Sequence, residues 1–254
     1  MGFIKNILAH PLTRGLSVDD PQTTALRLDI IQSKSYLKKI YLEWYQLIQA
    51  TLEKKEHVLE LGSGAGFFSD FIPEVITSEI FETPGIKLVA DACMLPFPDN
   101  SLDAIVMTDV FHHIPDVEQF LTEATRCIKK GGKISMIEPW CSPWAKWVYI
   151  NLHSEPFEDE SGWIIPDTGP LSGANGALPW IVFDRDKSTF DEKFPEWEVV
   201  NIEPIMPVSY LISGGVSMRS LMPGFLYAPI RWFEKLLNKN IWSMFALIEL
   251  ELKS

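Results

Sequence analysis

Three glycines separate two apolar runs in residues 57–72, HVLELGSGAGFFSDFI. The first run is typical of a buried strand, and GFFSDFI is expected to begin a helix. At such a junction, backbone N–H groups and the positive end of the helix dipole face a bound ligand. Gly62, Gly64 and Gly66 have no Cβ, so a ligand is able to approach the main chain closely. The pattern is GxGxG, because Phe67 occupies the position of the third glycine in a GxGxxG dinucleotide motif.

Three acidic residues are placed at the ends of predicted strands. Glu60 lies in the strand before the glycines, Glu79 ends the next strand, and Asp91 follows the third. Ligands of open parallel sheets bind beyond the carboxyl ends of the strands, where the strand order reverses. We therefore expect these carboxylates at one edge of a sheet, beside the glycine turn. Two alternatives stay open: Glu79 as a solvated residue at a strand end, and Asp91 as the cap of a turn.

Short β-like runs alternate with helix-like runs along most of the chain. The predicted strands are residues 57–62, 74–80, 87–92, 102–110, 131–139, 196–206 and 244–252. The predicted helices are residues 22–54, as one or two helices, and 117–130, which a glycine pair ends. This alternation indicates an α/β fold with a parallel sheet and helices on both faces. The last strand alternates apolar and polar residues at its end, which is typical of a strand at the sheet edge.

The composition favours a folded protein that does not bind nucleic acid. Hydrophobic residues make up 46% of the chain, enough for a sizeable core, and no run of about 20 apolar residues predicts a membrane span. The net charge of −12 argues against nucleic-acid partners, which require a basic face. No CxxC pair or His/Cys/Asp cluster has metal-ligand spacing, so no metal is expected. With no signal-peptide pattern at the N-terminus, we expect a cytoplasmic protein.

Beyond the glycine turn, the sequence resembles a known family. VLELGSGAGFF is similar to the first motif of class I S-adenosylmethionine-dependent methyltransferases. LVADACMLPFPDNSLDAIVMTDVFHHIPDVEQFLTEATRCIKKGGKISMIEP resembles the small-molecule subgroup that includes the ubiquinone and menaquinone methyltransferases. The resemblance covers residues 57–139 and departs from many relatives at Lys130, where they have proline. It implies a Rossmann-like, doubly wound seven-stranded sheet with a final antiparallel strand, N-terminal helices and substrate-side insertions.

The resemblance implies S-adenosylmethionine as the cofactor and assigns residues to its methionine end. Glu60 would engage the ammonium group. Gly62, Ser63, Gly64 and Gly66 would line the methionine portion and the ribose. An ordinary α/β turn is the structural alternative for these glycines.

The same resemblance assigns the ribose and adenine of the cofactor to later strand ends. Glu79 would accept hydrogen bonds from both ribose hydroxyls, because a carboxylate presents two acceptor oxygens side by side. Asp91 would accept a hydrogen bond from the exocyclic amine of adenine, and the backbone of Ala92 would reach a ring nitrogen. Thr108 would contact the cofactor through its main chain.

Methyl transfer to a hydroxyl is assisted by a base, and residues after the fourth and fifth strands are candidates. His112 and His113 lie in VFHHIPD, and Glu138 lies in IEPW. His153, in the following insertion, is a further candidate. Histidine titrates near neutral pH, which suits the role. A structural role, with an imidazole bonded to the backbone or sheltering the cofactor, is equally compatible with the pattern.

The whole chain, residues 1–254, is expected to be a single methyltransferase domain. Residues 1–56 would form an N-terminal helical cover, residues 57–139 the cofactor-binding core, and residues 140–195 and 207–241 two insertions on the substrate side. A small separate cap is the alternative.

Aromatic residues are expected near both ends of the bound cofactor. Trp140, Trp144 and Trp147 have spacings that share a helical face, and they are expected either to wall the acceptor pocket or to face the core. From the N-terminal cover, Tyr36 or Tyr45 is expected near the methionine end.

Residues 209–240 are rich in glycine and proline and are expected to form a loop that bends or moves. In APIRWFEKLLNK, the basic residues Arg231, Lys235 and Lys239 oppose apolar ones. This pattern is compatible with a lid over a lipid-attached acceptor, with peripheral contact to a membrane, or with a helix docked on the domain.

The sequence therefore predicts an enzyme that transfers a methyl group from S-adenosylmethionine to a small-molecule, lipid-linked or sugar-linked acceptor. One alternative is a nicotinamide-dependent oxidoreductase, against which Phe67 and the segment DACMLPF argue. The other is a non-catalytic protein that binds S-adenosylmethionine. The acceptor, the methylated atom and the oligomeric state stay open.

Overall fold

The computed structural model describes residues 16–17, 19–153, 155–166, 168–169, 171–220 and 222–254. Among these residues, the helices are α1 (Pro21–Ser33), α2 (Ser35–Thr51), α3 (Val117–Cys127), α4 (Pro143–Leu152), α5 (Leu178–Trp180), α6 (Lys187–Lys193), α7 (Ser209–Ser213), α8 (Tyr227–Glu234) and α9 (Lys239–Trp242). The strands are β1 (Val58–Leu61), β2 (Ile76–Glu79), β3 (Leu88–Val89), β4 (Leu102–Thr108), β5 (Ile128–Pro139), β6 (Trp197–Ile205) and β7 (Phe245–Leu252). The predicted cover begins with residues 1–15, which lie outside the described residues.

The strands form one seven-stranded sheet in the order β3-β2-β1-β4-β5-β7-β6. Neighbours from β3 to β5 pair in parallel, whereas β7 is antiparallel to both β5 and β6. This arrangement confirms the predicted Rossmann-like fold with its final antiparallel strand. The strand order reverses between β1 and β4, so a crevice is expected beyond the carboxyl ends of these two strands.

The prediction that the last strand lies at the sheet edge is wrong. β7 lies between β5 and β6 and pairs with both along most of its length. Its first four residues are buried, and only its end alternates between buried and half-buried residues. On the half-buried face, Glu249 accepts a hydrogen bond from the side chain of Asn201 on β6 at 2.9 Å. The alternation therefore arises because one face of the sheet is only partly buried at the end of β7.

The helix expected after the glycine turn is also absent from the described residues. Two 3-10 turns, Ser63–Ala65 and Phe68–Asp70, stand in its place. Gly64 and Gly66 disfavour a helix at its start, and Pro73 prevents its continuation. The argument from a helix dipole consequently fails at this site, and only local backbone N–H groups are available to a ligand.

The glycine pair expected between helix and strand lies inside β5. α3 ends at Cys127 and β5 begins at the next residue. Gly131 has a φ of +75°, and a Cβ on Gly132 would meet the carbonyl oxygen of Asp103 at 2.7 Å. The pair therefore accommodates an irregularity in the pairing of β4 with β5, and it does not end the helix.

In its described residues, the N-terminal cover consists of two helices, one of the two predicted alternatives. Asp20 caps α1 by accepting a hydrogen bond from the Gln22 N–H at 2.9 Å. Lys34 separates α1 from α2, and its buried ammonium donates to the carbonyl oxygens of Gly215, at 2.7 Å, and Met218. One face of α2 is fully buried and includes Trp44, which packs against Phe245 at the start of β7.

No helix among the described residues is long and apolar enough to cross a membrane.

Candidate functional site

A cavity of about 580 Å³ opens at the carboxyl edge of the sheet. Five of the predicted cofactor residues line it: Gly62, Glu79, Asp91, Ala92 and Thr108. These residues follow β1, β2, β3 and β4, so the strand ends meet where the order of the sheet reverses. The volume lies within the range of ordinary ligand pockets.

The other four predicted cofactor residues do not line this cavity. They are Glu60, Ser63, Gly64 and Gly66, all in or beside the glycine turn. A Cβ on Gly64 would collide with Thr24 of α1, and a Cβ on Gly66 would collide with the Tyr45 hydroxyl of α2. Protein side chains from the cover therefore occupy the space that the sequence analysis reserved for a ligand.

Tyr45 lies at the glycine turn, and Tyr36 does not. The Tyr45 hydroxyl accepts a hydrogen bond from the Phe67 N–H at 3.3 Å. Tyr36 is instead hydrogen-bonded to Ser209 at 3.2 Å, on the opposite side of the cover. Of the two tyrosines proposed for the methionine end, only Tyr45 is close enough to serve.

Gly62 is required by its backbone conformation. Its φ of +68° lies in the left-handed region, and a Cβ there would collide with Val110. The turn is further held by Ser63, whose hydroxyl donates to the Glu60 carbonyl at 3.1 Å and accepts from the Ser78 N–H at 3.1 Å. These contacts make Ser63 a link between β1 and β2.

Glu79 is the acidic residue most firmly held at the cavity. Its Oε1 accepts a hydrogen bond from the Gly64 N–H at 3.0 Å, and its Oε2 accepts one from the Ile80 N–H at 3.1 Å. Burial raises the pKa of Glu79, although both hydrogen bonds oppose the shift. The structure therefore rejects the alternative of a solvated strand-end residue.

Thr24 lies beside Glu79 and was not predicted from the sequence. It lines the cavity, and its methyl group packs over Gly64. Its Oγ1 is buried and has no hydrogen-bond partner among the described residues. Since buried hydroxyls are almost always satisfied, this oxygen is an exception that requires an explanation.

Asp91 caps a turn, one of the two roles that the sequence left open, and it also lines the cavity. Its Oδ1 accepts a hydrogen bond from the Cys93 N–H at 2.8 Å, which caps the turn after β3. The residue is nevertheless exposed and lines the cavity next to Ala92. The cap uses one carboxylate oxygen and leaves the other to a ligand.

Three more charged residues lie at or beside the cavity: Glu60 beside it, and Asp109 and Arg27 in its wall. Burial, with a contribution from Glu79, raises the pKa of Glu60 to about 7. Burial also raises the pKa of Asp109, a cavity residue with a φ of +62°, to about 7. Arg27 of α1 lines the same cavity and lowers the pKa of both Glu79 and Asp109 through its charge. Neither Arg27 nor Asp109 carried a motif signal in the sequence.

Glu138 has its whole carboxylate engaged by the protein. Oε1 accepts hydrogen bonds from the Val110 N–H at 2.7 Å and the Phe111 N–H at 2.8 Å. Oε2 lies 2.8 Å from His112 Nδ1. Glu138 is fully buried and does not line the cavity, so it holds the turn after β4 in place.

The two histidines after β4 differ in their access to the cavity. His112 is 1% exposed and does not line it. Burial lowers the pKa of His112, but Glu138 and Glu155 outweigh burial and raise it well above its ordinary value. His113 lines the cavity, with Nδ1 at 3.0 Å from the Gly173 carbonyl oxygen. Burial, together with the charge of His112, lowers the pKa of His113 to about 3.

Glu155 completes this cluster, and the sequence analysis missed it. It lines the cavity, and its Oε2 lies 3.6 Å from His112 Nε2. Burial acts to raise the pKa of Glu155, but His112 lowers it further than burial raises it. Glu155 stands in an insertion with several other acidic residues, so no spacing distinguished it in the sequence. His153, two residues earlier, also lines the cavity.

The remaining walls of the cavity are mainly apolar and come from both insertions. They include Val148, Tyr149, Leu152, Ile165, Leu171, Tyr210, Leu211, Val216, Met218, Met244 and Phe245. The tryptophans expected to form a wall do not line it: Trp140 is buried elsewhere, and Trp144 and Trp147 stack on one another at 5.6 Å. α4 thus turns Val148, Tyr149 and Leu152 to the cavity and its tryptophans away from it.

The predicted opposition of basic and apolar residues in the second insertion is not observed. Arg231 faces inward and forms ion pairs with Glu43 and Glu234, whereas Lys235 and Lys239 are exposed. Trp232 is 66% exposed and Leu236 is 65% exposed, so apolar and basic side chains share the outer surface. A buried carboxylate, Glu234, explains the inward position of Arg231, because it requires a cation within the fold.

Residues 59–136 match a family model described as a methyltransferase domain. The match covers about a third of the chain. The match confirms the predicted resemblance to class I S-adenosylmethionine-dependent methyltransferases, within the part of the chain that carried the motifs.

Curated proteins named as methyltransferases also match about a third of the chain. An uncharacterized methyltransferase of Bacillus subtilis, YcgJ, is 32% identical over 105 residues, which are 34% of this chain and 42% of that protein. A demethylmenaquinone methyltransferase of Tropheryma whipplei is 41% identical over 99 residues, which are 33% of this chain and 41% of that protein. The chain spans about two fifths of the length of each of these relatives.

A solved structure extends the similarity of the fold to almost the whole chain. A chain in the complex between the Haloferax volcanii Trm112 methyltransferase activator and a methyltransferase has a TM-score of 0.54 at 14% identity. The alignment covers 94% of this chain and all of that one. At this identity, the similarity establishes the fold alone.

Proposed function

We propose that this protein transfers the methyl group of S-adenosylmethionine to a small, largely apolar acceptor bound in the same cavity. One observation carries the proposal. In a chain with a methyltransferase domain, Glu79, Asp91 and Thr24 line one cavity at the point where the strand order reverses.

The residues at the strand ends fit the cofactor. A carboxylate has about four lone-pair sites, and Glu79 uses two of them on backbone N–H groups, so two remain for ribose hydroxyls. Thr24 offers an unsatisfied hydroxyl beside it. Asp91 and Ala92 lie further along the same edge, where adenine would bind. When bound, S-adenosylmethionine supplies a methyl group activated by a positively charged sulfur.

The electrostatics of the cavity suit a cationic cofactor. S-adenosylmethionine carries a sulfonium, an ammonium and one carboxylate, so its net charge is positive. Glu79, Asp91 and Asp109 line the cavity, and Glu60 lies directly behind the glycine turn. We assign Arg27 to the single negative group, the carboxylate, because it is a cationic side chain of α1 at the cavity.

The predicted roles of Glu60, Ser63, Gly64 and Gly66 require a further step. Thr24 and Tyr45 cover the glycine turn, so the methionine end reaches these residues only if α1 shifts away from it. We retain these four assignments as proposals on that condition.

The acceptor is proposed to be a lipid-linked or other apolar molecule with a polar group at the site of methylation. The inner part of the cavity is lined mainly by aliphatic and aromatic side chains. The insertion that supplies Tyr210 and Met218 to this wall also presents Trp232 and Leu236 outward, as a lid that handles apolar molecules would. A relative named for a demethylated menaquinone supports an apolar acceptor of this class.

Within this reaction, we propose that Glu138 and His112 position the turn after β4. Glu138 and His112 are both buried and do not line the cavity, and Glu138 is held by three hydrogen bonds within the protein. His113 and Glu155 are then the polar side chains that meet the acceptor. Glu138 is accordingly a positioning residue.

The function is tested by calorimetric titration followed by a transfer assay. We expect S-adenosylmethionine and its demethylated product to bind, and NAD to show no heat above dilution. Labelled cofactor is then incubated with reduced demethylmenaquinone in detergent, and with a lipid extract, and methylated products are identified by mass spectrometry. Tighter binding of NAD would overturn the proposal in favour of an oxidoreductase. Cofactor binding with no methylated product from either source would favour the non-catalytic alternative.

Replacing Thr24 with valine should weaken cofactor binding by about 1 kcal/mol, or roughly fivefold, the typical value of one neutral hydrogen bond. Valine keeps the methyl group that packs on Gly64 and removes only the hydroxyl. Thr23→Val is the matched control, since the Thr23 hydroxyl bonds to the Ser17 carbonyl and lies outside the cavity. Equal affinities of the two variants by calorimetry would remove Thr24 from the site.

Cofactor affinity should rise between pH 6 and pH 8. Burial raises the pKa of Glu60 to about 7, and a cationic cofactor favours the ionised carboxylate. Each pH unit below the pKa then costs up to about 1.4 kcal/mol of binding free energy, or tenfold in affinity. Calorimetry at three pH values measures the slope, and Glu60→Gln should reduce it, leaving the part due to Asp109, whose pKa is also about 7. An affinity of the wild-type protein that does not change with pH would contradict the assignment of Glu60.

The same carboxyl group, Glu60, should make the cofactor-free protein less stable as the pH rises, whereas cofactor affinity increases over that range. The folded-state pKa of Glu60, about 7, lies above its ordinary value of 4.5. The stability that the neutral carboxyl contributes is therefore complete below pH 4.5 and is lost as the pH rises to about 7.

A further inference from the structure

We infer that His112, His113 and Glu155 form a binding site for one divalent transition-metal ion in the acceptor half of the cavity. Each residue offers one ligand atom, and these atoms lie within 4.8 Å of one another. The inference deepens the proposed function and rests on it for the role of the ion, but the site itself is defined by the geometry of the three side chains.

Each histidine ring is oriented by an oxygen at its Nδ1 atom, as metal-ligating histidines usually are. His112 Nδ1 lies 2.8 Å from a Glu138 carboxylate oxygen, and His113 Nδ1 lies 3.0 Å from the Gly173 carbonyl oxygen. With Nδ1–H donating to these acceptors, Nε2 of each ring is the atom available to an ion, which would displace the second proton of His112. The two rings lie side by side, with centroids 4.1 Å apart, because the residues are consecutive in one 3-10 turn.

His112 Nε2 is the atom of this cluster that lacks a hydrogen bond. It is buried, and its one ion-pair partner among the described residues is Glu155, whose Oε2 lies 3.6 Å away, within ion-pair range but too far for a hydrogen bond. A buried polar nitrogen without a hydrogen bond is uncommon and requires an explanation. An ion coordinated by His112, His113 and Glu155 satisfies this nitrogen and neutralises the carboxylate.

The donor set indicates which metal binds. Two imidazole nitrogens and one carboxylate are ligands of Zn²⁺, Co²⁺ and Fe²⁺, whereas Mg²⁺ and Ca²⁺ prefer oxygen ligands alone. His113 and Glu155 line the cavity, so the remaining coordination positions face the acceptor. The ion would therefore bind an oxygen donor of the acceptor, such as a hydroxyl group, and orient it.

A second group with similar spacing provides an internal control. Glu56, His57 and Asp103 also bring three ligand atoms together, at the protein surface. There the Asp103 carboxylate is already paired with the Lys129 ammonium at 2.7 Å, and no buried nitrogen lacks a partner. This surface group is not expected to bind the ion.

The test is titration of the full-length, chelator-treated protein with Co²⁺, followed by visible absorption and calorimetry. We expect one equivalent to bind, with the ligand-field bands of nitrogen and oxygen coordination. Glu155→Gln and His113→Ala should each weaken binding at least tenfold, and Glu138→Gln about tenfold to a hundredfold, as removal of an orienting partner does. His57→Ala should bind Co²⁺ like the wild-type protein. Thermal melts of each variant establish that it is folded.

The outcomes separate this inference from the proposed function. Binding of S-adenosylmethionine without uptake of Co²⁺ would overturn the metal site and leave the methyltransferase proposal standing. Uptake of Co²⁺ without binding of S-adenosylmethionine would overturn the methyltransferase proposal and leave the metal site standing. Uptake that survives Glu155→Gln and His113→Ala but disappears in His57→Ala would place the ion at the surface and overturn the inference.

Discussion

Replacing Glu138 with alanine is expected to lower the free energy of unfolding by about 3–5 kcal/mol, as the loss of one partner in a buried charged network does. The carboxylate is fully buried and accepts hydrogen bonds from two backbone N–H groups and from His112. Alanine leaves all three donors without a partner in the interior, where solvent cannot replace the lost bonds. Urea denaturation followed by circular dichroism measures the change.

Two further variants distinguish this effect from a general loss of a glutamate. Glu138→Gln keeps an oxygen for the Val110 and Phe111 N–H groups but presents an amide to His112, so a smaller loss is expected. Glu198 on β6 is exposed, and Glu198→Ala should change stability by less than about 0.5 kcal/mol. If Glu138→Ala proved as stable as Glu198→Ala, the positioning role of Glu138 would be wrong.

Replacing Glu79 with alanine is expected to weaken cofactor binding by about 1–3 kcal/mol, or roughly fivefold to 150-fold, the value of hydrogen bonds to a charged group. The carboxylate is buried at the end of β2, lines the cavity, and has lone pairs left after it accepts from Gly64 and Ile80. Calorimetric titration with S-adenosylmethionine gives the change directly.

The controls for Glu79 separate binding from local structure. Glu79→Gln keeps the size of the side chain and removes its charge, so its affinity should lie between those of the wild-type and Glu79→Ala proteins. Glu82→Ala changes a nearby exposed glutamate outside the cavity and should bind the cofactor normally. Unchanged affinity of a folded Glu79→Ala protein would show that the ribose binds elsewhere.

Strand periodicity was sufficient to predict the sheet and its acidic edge. Apolar runs bounded by turn residues identified all seven strands, and residues at the carboxyl ends of parallel strands meet by geometry alone. Glu79 and Asp91 consequently lie where the sequence predicted. The prediction that β7 lies at the sheet edge was wrong. Alternation of apolar and polar residues shows how far each face of the sheet is buried, and that burial depends on elements distant in the chain.

The cover of the site could not be predicted from the same patterns. An amphipathic helix shows which residues are buried, but not whether they face the core or a cavity, so Thr24 and Arg27 carried no signal. The glycine turn suggested a close approach by a ligand, yet a missing Cβ equally admits a neighbouring side chain such as Tyr45. Likewise, the tryptophan spacing of α4 indicated a shared face without indicating what that face meets.

The central place of β7 in the sheet determines the order in which the sheet is able to form. Ile137 on β5 pairs with Leu247 on β7, roughly 110 residues later, and β6 has β7 as its neighbour. Until β7 has been synthesised and has docked, β5 and β6 therefore each present an unsatisfied hydrogen-bonding edge. A nascent chain at that stage is open to intermolecular association, which docking of β7 between the two strands ends.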